Sequence, residues 1–269
     1  MLCSRLFLLM ASAPLLPAEQ PTLLDRAYRQ MYNLDFNGAH KTIAEYAKVA
    51  PDDPLAPASD AAAYLFTEFD RLHILQGEFF THDENFRTQQ QLTPNPQTVA
   101  AFQSQITHAE SLAEKALRKN EKDTNALFAK ALALGLKSDY EGLVEKKYMS
   151  SLSNTKAGRL TAEKLLSIDP NYHDAWLAIG VENYMLSLKP MAVRWLLRLA
   201  GNQTDRLAGV EKLKITAEKG RYLRPFARLL IAVAALREHD IPRAKQLLKE
   251  LRDEFPGNHL YASELARLN

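Results

Sequence analysis

Three adjacent histidine–aspartate pairs carry the side chains in this chain that best suit metal chemistry. Imidazole and carboxylate groups that meet in a fold bind divalent cations. The pairs are His82-Asp83, His173-Asp174 and His239-Asp240. Neither an H-x3-H nor an H-E-x-x-H spacing occurs, and a turn or first-turn aspartate explains two of the pairs without a metal. We therefore predict no metal site.

Two glutamates offer the alternative of acid–base catalysis. Glu110 and Glu182 lie among apolar neighbours on predicted helices, and a buried pair of carboxylates can transfer protons. Solvated positions on one side of each helix explain both residues more simply. The chain also has no glycine-rich phosphate loop, G-x-S-x-G motif or dinucleotide fingerprint. The prediction is a protein without catalytic residues or a cofactor, and an enzyme of unrecognised type is the most distant alternative.

Composition restricts the class of protein further. Of the 269 residues, 46 % are hydrophobic and 25 % are charged, which is typical of a globular chain. The 34 basic and 32 acidic residues give a net charge of +2 without a long run of either sign. The basic surface of a nucleic-acid-binding protein is therefore not expected.

The first 18 residues have the layout of a secretory signal peptide. Arg5 precedes an apolar segment at about 6–16, and small residues follow it. Two prolines interrupt this segment, which is shorter than the roughly 20 residues that span a bilayer. A buried first helix or a retained anchor is the alternative. We expect cleavage after Ala18 and a periplasmic or secreted mature chain, which then lacks the single cysteine, Cys3.

The elements that must position any site are helices. Apolar residues recur with a helical period over nearly the whole chain, and we find no convincing alternating strand. Connections are short, except for one loop at about 80–96. The predicted helices are 22–33, 37–50, 57–79, 97–119, 124–137, 141–168, 172–188, 190–200, 205–219, 222–238, 241–254 and 258–267.

A repeated turn indicates how these helices are organised. Residues 34–51 and 239–256 share an aspartate, an apolar residue next to it, an alanine and a final proline. The aspartate can cap a helix, the alanine lets two helices approach closely, and the proline ends the hairpin. The matching residues are Asp35, Phe36, Ala39 and Pro51 in one copy and Asp240, Ile241, Ala244 and Pro256 in the other. We predict a third turn at Asp139-Tyr140.

A further motif follows Asp169-Pro170. Trp176, Ile179 and Gly180 have a W-x2-φ-G spacing. Together with the repeated turns, these residues resemble the tetratricopeptide repeat, a helical hairpin of about 34 residues. The resemblance implies an all-α solenoid of about five hairpins over residues 19–269. Such hairpins wind into a right-handed superhelix, whose concave face can bind a protein or peptide segment.

One hairpin is interrupted by an insertion. Counting from Trp176 places the next turn at Leu188, but the capping aspartate occurs 17 residues later at Asp205. A narrower pattern surrounds it, carried by Met185, Leu186, Ser187, Leu188, Pro190, Val193, Leu196, Leu197, Gly201, Asp205, Arg206, Gly209 and Leu213. These residues make 180–213 resemble the inclusion-body-clearance family of tetratricopeptide proteins and related exported bacterial repeat proteins. That resemblance implies an adaptor without catalytic residues.

The insertion contains a short amphipathic helix at about 190–200, between Pro190 and Gly201. Arg194 and Arg198 share one face, and an apolar face holds Met191, Trp195, Leu196 and Leu199. A helix that packs its apolar face onto the hairpin ends is one interpretation. A helix that binds a membrane surface or a partner helix is the other.

Arg194, Trp195 and Arg198 are therefore candidate interaction residues, and Phe79 and Phe80 are candidates for a lid over the groove. The predicted function is an exported, non-catalytic scaffold that holds a protein or peptide partner. The alternative is a protein that binds a membrane surface or an apolar ligand through the helix at 190–200.

Overall fold

The computed structural model describes residues 22–75 and 92–268, and within them the chain forms α-helices and no strand. The all-α prediction is thus confirmed for this part of the chain. The predicted signal peptide, Phe79 and Phe80 lie outside the described residues. The helices are α1 (Leu23–Tyr32), α2 (Phe36–Val49), α3 (Leu55–Arg71), α4 (Pro96–Lys119), α5 (Thr124–Asp139), α6 (Tyr148–Ile168), α7 (Trp176–Ser187), α8 (Met191–Leu199), α9 (Arg206–Lys219), α10 (Arg224–Arg237), α11 (Ile241–Glu254) and α12 (His259–Arg267).

The two repeated turns have the same backbone geometry. Leu34 and His239 each adopt the left-handed conformation with φ of 61°. The aspartate that follows, Asp35 or Asp240, accepts a hydrogen bond from the backbone N–H three residues later and so caps the next helix. The alanines that we predicted at helix contacts are fully buried. The spacing in the sequence therefore correctly identified two turns of the same geometry.

The third turn was predicted in the wrong place. At Asp139 the chain stays helical and continues through a π-helical turn, Tyr140–Val144. The chain reverses at Lys146, which takes the left-handed conformation with φ of 59°, and α6 then runs unbroken through 150–154. Packing explains the delay, because the buried Tyr140 ring lies 5.3 Å from the ring of Phe102 and stabilises helical backbone at this point.

Consecutive helices pack in pairs, namely α1 with α2, α3 with α4, α5 with α6, and α10 with α11. Between them α7 packs against α9, so α8 is looped out of its pair. Each pair also contacts the next pair along the chain. A row of helical hairpins results, as the repeated turns predict.

The row curves so far that its two ends touch. The Tyr32 hydroxyl donates to the carbonyl of Tyr222, and the Asn258 side-chain amide donates to the carbonyl of Tyr32. Arg221 also forms an ion pair with Asp25 at 2.8 Å. Helix α1 is therefore joined both to the turn before α10 and to the turn before α12.

Aromatic side chains fill the space between these distant helices. The rings of Tyr28 and Tyr222 stack with their centroids 4.9 Å apart, and Phe128 lies between Tyr222 and Tyr172. At the same turn before α10, the buried carboxylate of Asp174 accepts hydrogen bonds from the backbone N–H groups of residues 221, 222 and 223. Burial raises the pKa of Asp174 despite these three donors. The centre of the fold is thus a packed core.

Candidate docking surface on the inserted helix

The insertion begins and ends where two helices are in unusually close contact. A side-chain carbon at Gly209 of α9 would lie 2.6 Å from the backbone nitrogen of Tyr184 in α7, so only glycine fits there. Asp205 caps α9 by accepting the N–H of Ala208. The predicted helix at about 190–200 is confirmed as α8, and it lies outside this tight pair.

Helix α8 turns its apolar side away from the protein. None of its residues is buried. Five large apolar side chains are exposed by 41–78 %, and they form what we call the outer face: Met191, Val193, Trp195, Leu196 and Leu199. The interpretation that Trp195 and the leucines pack onto the hairpin ends is therefore wrong.

Polar contacts hold the opposite side of α8 and the loop that follows it. Arg194 is half-buried, and Arg198 Nε donates to the Thr204 hydroxyl at 2.6 Å. Lys156 of α6 donates to the carbonyl of Ala200 at 2.6 Å, which satisfies a carbonyl at the end of the helix. The arginines are thus oriented toward the body and the edge of the helix, which leaves the outer face apolar.

A buried ion pair anchors the same loop. Glu182 is fully buried, and its carboxylate accepts a hydrogen bond from Arg159 Nε at 2.8 Å and from the backbone N–H of Gln203 at 3.0 Å. Arg159 also donates to Glu163 at 2.7 Å and to the carbonyl of Gly201 at 3.0 Å. The prediction that Glu182 is solvated was wrong, because its partner is contributed by a different helix.

The other carboxylates considered for chemistry have structural partners where the structure describes them, whereas Nδ1 of His173 is buried without a hydrogen-bond partner. Asp174 and Asp240 hold turns, and Glu110 pairs with Lys137 at 2.9 Å. Over residues 22–75 and 92–268, no group of three histidine, cysteine, aspartate or glutamate residues is arranged to hold a metal ion. His82-Asp83 lies outside that part of the chain.

Two further findings concern the pockets and the helix lengths of the described residues. Their best-formed pocket, lined by Tyr64, Glu68, Phe102 and Tyr140 among others, is too narrow for a water molecule. In the same part of the chain, each helix is too short or too polar to cross a membrane. Among the described helices, α8 exposes the most large apolar side chains, and its outer face is therefore our candidate binding surface.

Comparison with known proteins adds no assignment: no protein-family model matches the chain, and no curated protein matches it.

Proposed function

We propose that this chain is an exported, non-catalytic binding protein, built from tetratricopeptide-like hairpins, that docks a partner through the outer face of α8. The observation that carries the proposal is the exposure of five large apolar side chains on one helix that buries none of its residues. Soluble proteins seldom expose contiguous apolar side chains of this kind unless they form an interaction site.

The arrangement of the hairpins supports this outer surface over a concave groove. Open arrays of helical hairpins bind peptides along the inside of their curve. Here the corresponding space contains the packed rings of Tyr28, Phe128 and Tyr222. A bound peptide would have to displace that core, whereas a partner on α8 displaces only water.

The contacts of the ionisable groups support a non-catalytic role. Glu182, the most buried carboxylate near the insertion, already accepts hydrogen bonds on both oxygens. Arg159 also donates through Nη1 to Glu163 and through Nη2 to the carbonyl of Gly201. A fully buried carboxylate engaged in this way stabilises the loop and is out of reach of a substrate.

Photocrosslinking in cells tests the proposed docking surface. Benzoylphenylalanine would replace Trp195 in one variant and Lys249, an exposed residue of α11, in a matched control. We expect crosslinked adducts to form from position 195 and not from position 249. Equal crosslinking at both positions, or no adduct to either protein or lipid at position 195, would show that the outer face of α8 is not a binding surface.

A further inference from the structure

The outer face of α8 lies in a segment that carries only positive charge. From Asn183 to Thr204 the chain has Lys189, Arg194 and Arg198 and no aspartate or glutamate. The acidic residues that bound this segment are already engaged. Glu182 pairs with Arg159 at 2.8 Å, and Asp205 caps α9. A partner of the outer face therefore meets apolar side chains with two exposed cations, Lys189 and Arg198, in the same segment.

The same features discriminate between kinds of partner. Protein interfaces usually form about one hydrogen bond per 100–200 Å². Among the five side chains of the outer face, only Trp195 can donate a hydrogen bond, through its indole N–H. A second copy of the chain would place the same cations against each other and is disfavoured by their repulsion. A lipid surface needs no matched hydrogen bonds and accepts tryptophan at the level of its headgroups.

We infer that the outer face of α8 inserts into the interface of an anionic phospholipid bilayer, an inference that depends on the proposed function of this face as the docking surface. Helix α8 has nine residues and so presents an apolar face about 13 Å long. Lying in the membrane plane, it buries the apolar side chains among the acyl chains while Lys189 and Arg198 reach anionic headgroups. The closely packed helices α7 and α9 remain above the surface.

Vesicle flotation of the purified protein tests this inference. We expect binding to vesicles of phosphatidylcholine with about one third phosphatidylglycerol and at least about tenfold weaker binding to phosphatidylcholine alone. Trp195→Ala should weaken binding to the anionic vesicles about tenfold, because most of the indole leaves water on insertion. Val49→Gln, at an exposed apolar position of α2, is the matched control and should bind like wild type.

Tryptophan fluorescence provides a second measurement that reports on Trp195 itself, in a Trp176→Phe protein whose circular dichroism must match that of wild type. A Trp176→Phe background leaves Trp195 as the only tryptophan. Its emission should shift to the blue with anionic vesicles. The shift should reverse when salt is raised from about 0.1 to about 1 M, because the Debye length falls from about 10 to about 3 Å and the attraction to the headgroups weakens. Equal binding of wild type and Trp195→Ala, an unshifted emission, or equal binding to neutral vesicles would each overturn the membrane inference. Crosslinks from position 195 to a protein without vesicle binding would overturn it and leave the proposed docking surface intact.

Discussion

The buried carboxylate of Glu182 provides the most direct test of how the insertion is held in place. Glu182→Gln keeps the shape of the side chain and removes its charge, which leaves the guanidinium of Arg159 buried with less compensation. Breaking a buried ion pair from one side costs about 3–5 kcal/mol in free energy of unfolding. Arg159 keeps Glu163 and the carbonyl of Gly201 as acceptors, so we expect the lower end, about 3 kcal/mol.

Urea unfolding followed by circular dichroism measures this loss, and the melting temperature should fall by roughly 6–12 °C. Glu110→Gln is the matched control, because its pair with Lys137 is about one third exposed on both sides and should cost less than about 1 kcal/mol. The double variant Glu182→Gln with Arg159→Met should be more stable than the sum of the single effects predicts. Additivity within about 0.5 kcal/mol, or an equal cost for Glu110→Gln, would refute the reasoning.

Two further predictions concern a close helix contact and the ion pair between α1 and the turn before α10. Gly209→Ala should reduce the free energy of unfolding by about 1–3 kcal/mol, because the new methyl group would collide with the backbone of Tyr184. Gly135→Ala is the control, because a side-chain carbon added at Gly135 would have no neighbouring atom within 4 Å, and this variant should stabilise the protein by about 0.5–1 kcal/mol. A similar loss of stability for both variants in urea unfolding would contradict this explanation. The second prediction uses Asp25, because hydrogen bonding from Arg221 lowers its pKa from 3.8 to about 2. Its carboxylate therefore stabilises the fold fully above about pH 4 and loses this effect as the pH falls toward 2, so the stability difference between wild type and Asp25→Asn should shrink over that window. A difference that stays constant with pH would show that Asp25 does not titrate in this way.

Local signals in the sequence were sufficient to predict most helices and two of the turns. Asp35 and Asp240 cap helices by contacts within three residues, so their spacing carries the whole signal. Asp139 shows the limit of such signals. An aspartate before an aromatic residue is compatible with a turn and also with a continued helix. At Asp139, packing of Tyr140 on Phe102 favours the helix. The chain instead turns at Lys146, whose backbone is in the left-handed conformation, and no distinctive sequence pattern marks this position.

The candidate site was predicted less completely. The periodicity of 190–200 correctly separated an apolar from a basic face but did not determine which face contacts the protein. That orientation depends on Lys156 and Arg159, which reach the loop after α8 from another helix more than 40 residues earlier. The burial of Glu182 depends on the same helix. Contacts between residues so distant in sequence leave no local pattern.

The contact between the two ends of the row also affects how the protein can fold. In an open repeat array a hairpin can fold against its neighbour as soon as both exist. Here Tyr32 needs partners at Tyr222 and Asn258, which are 190 and 226 residues later in the chain. At usual rates of synthesis these partners appear roughly 10–45 s after α1. The side of α1 that carries Tyr28 and Tyr32 therefore waits for its partners until most of the chain has been made, and the last hairpins complete the fold of the first.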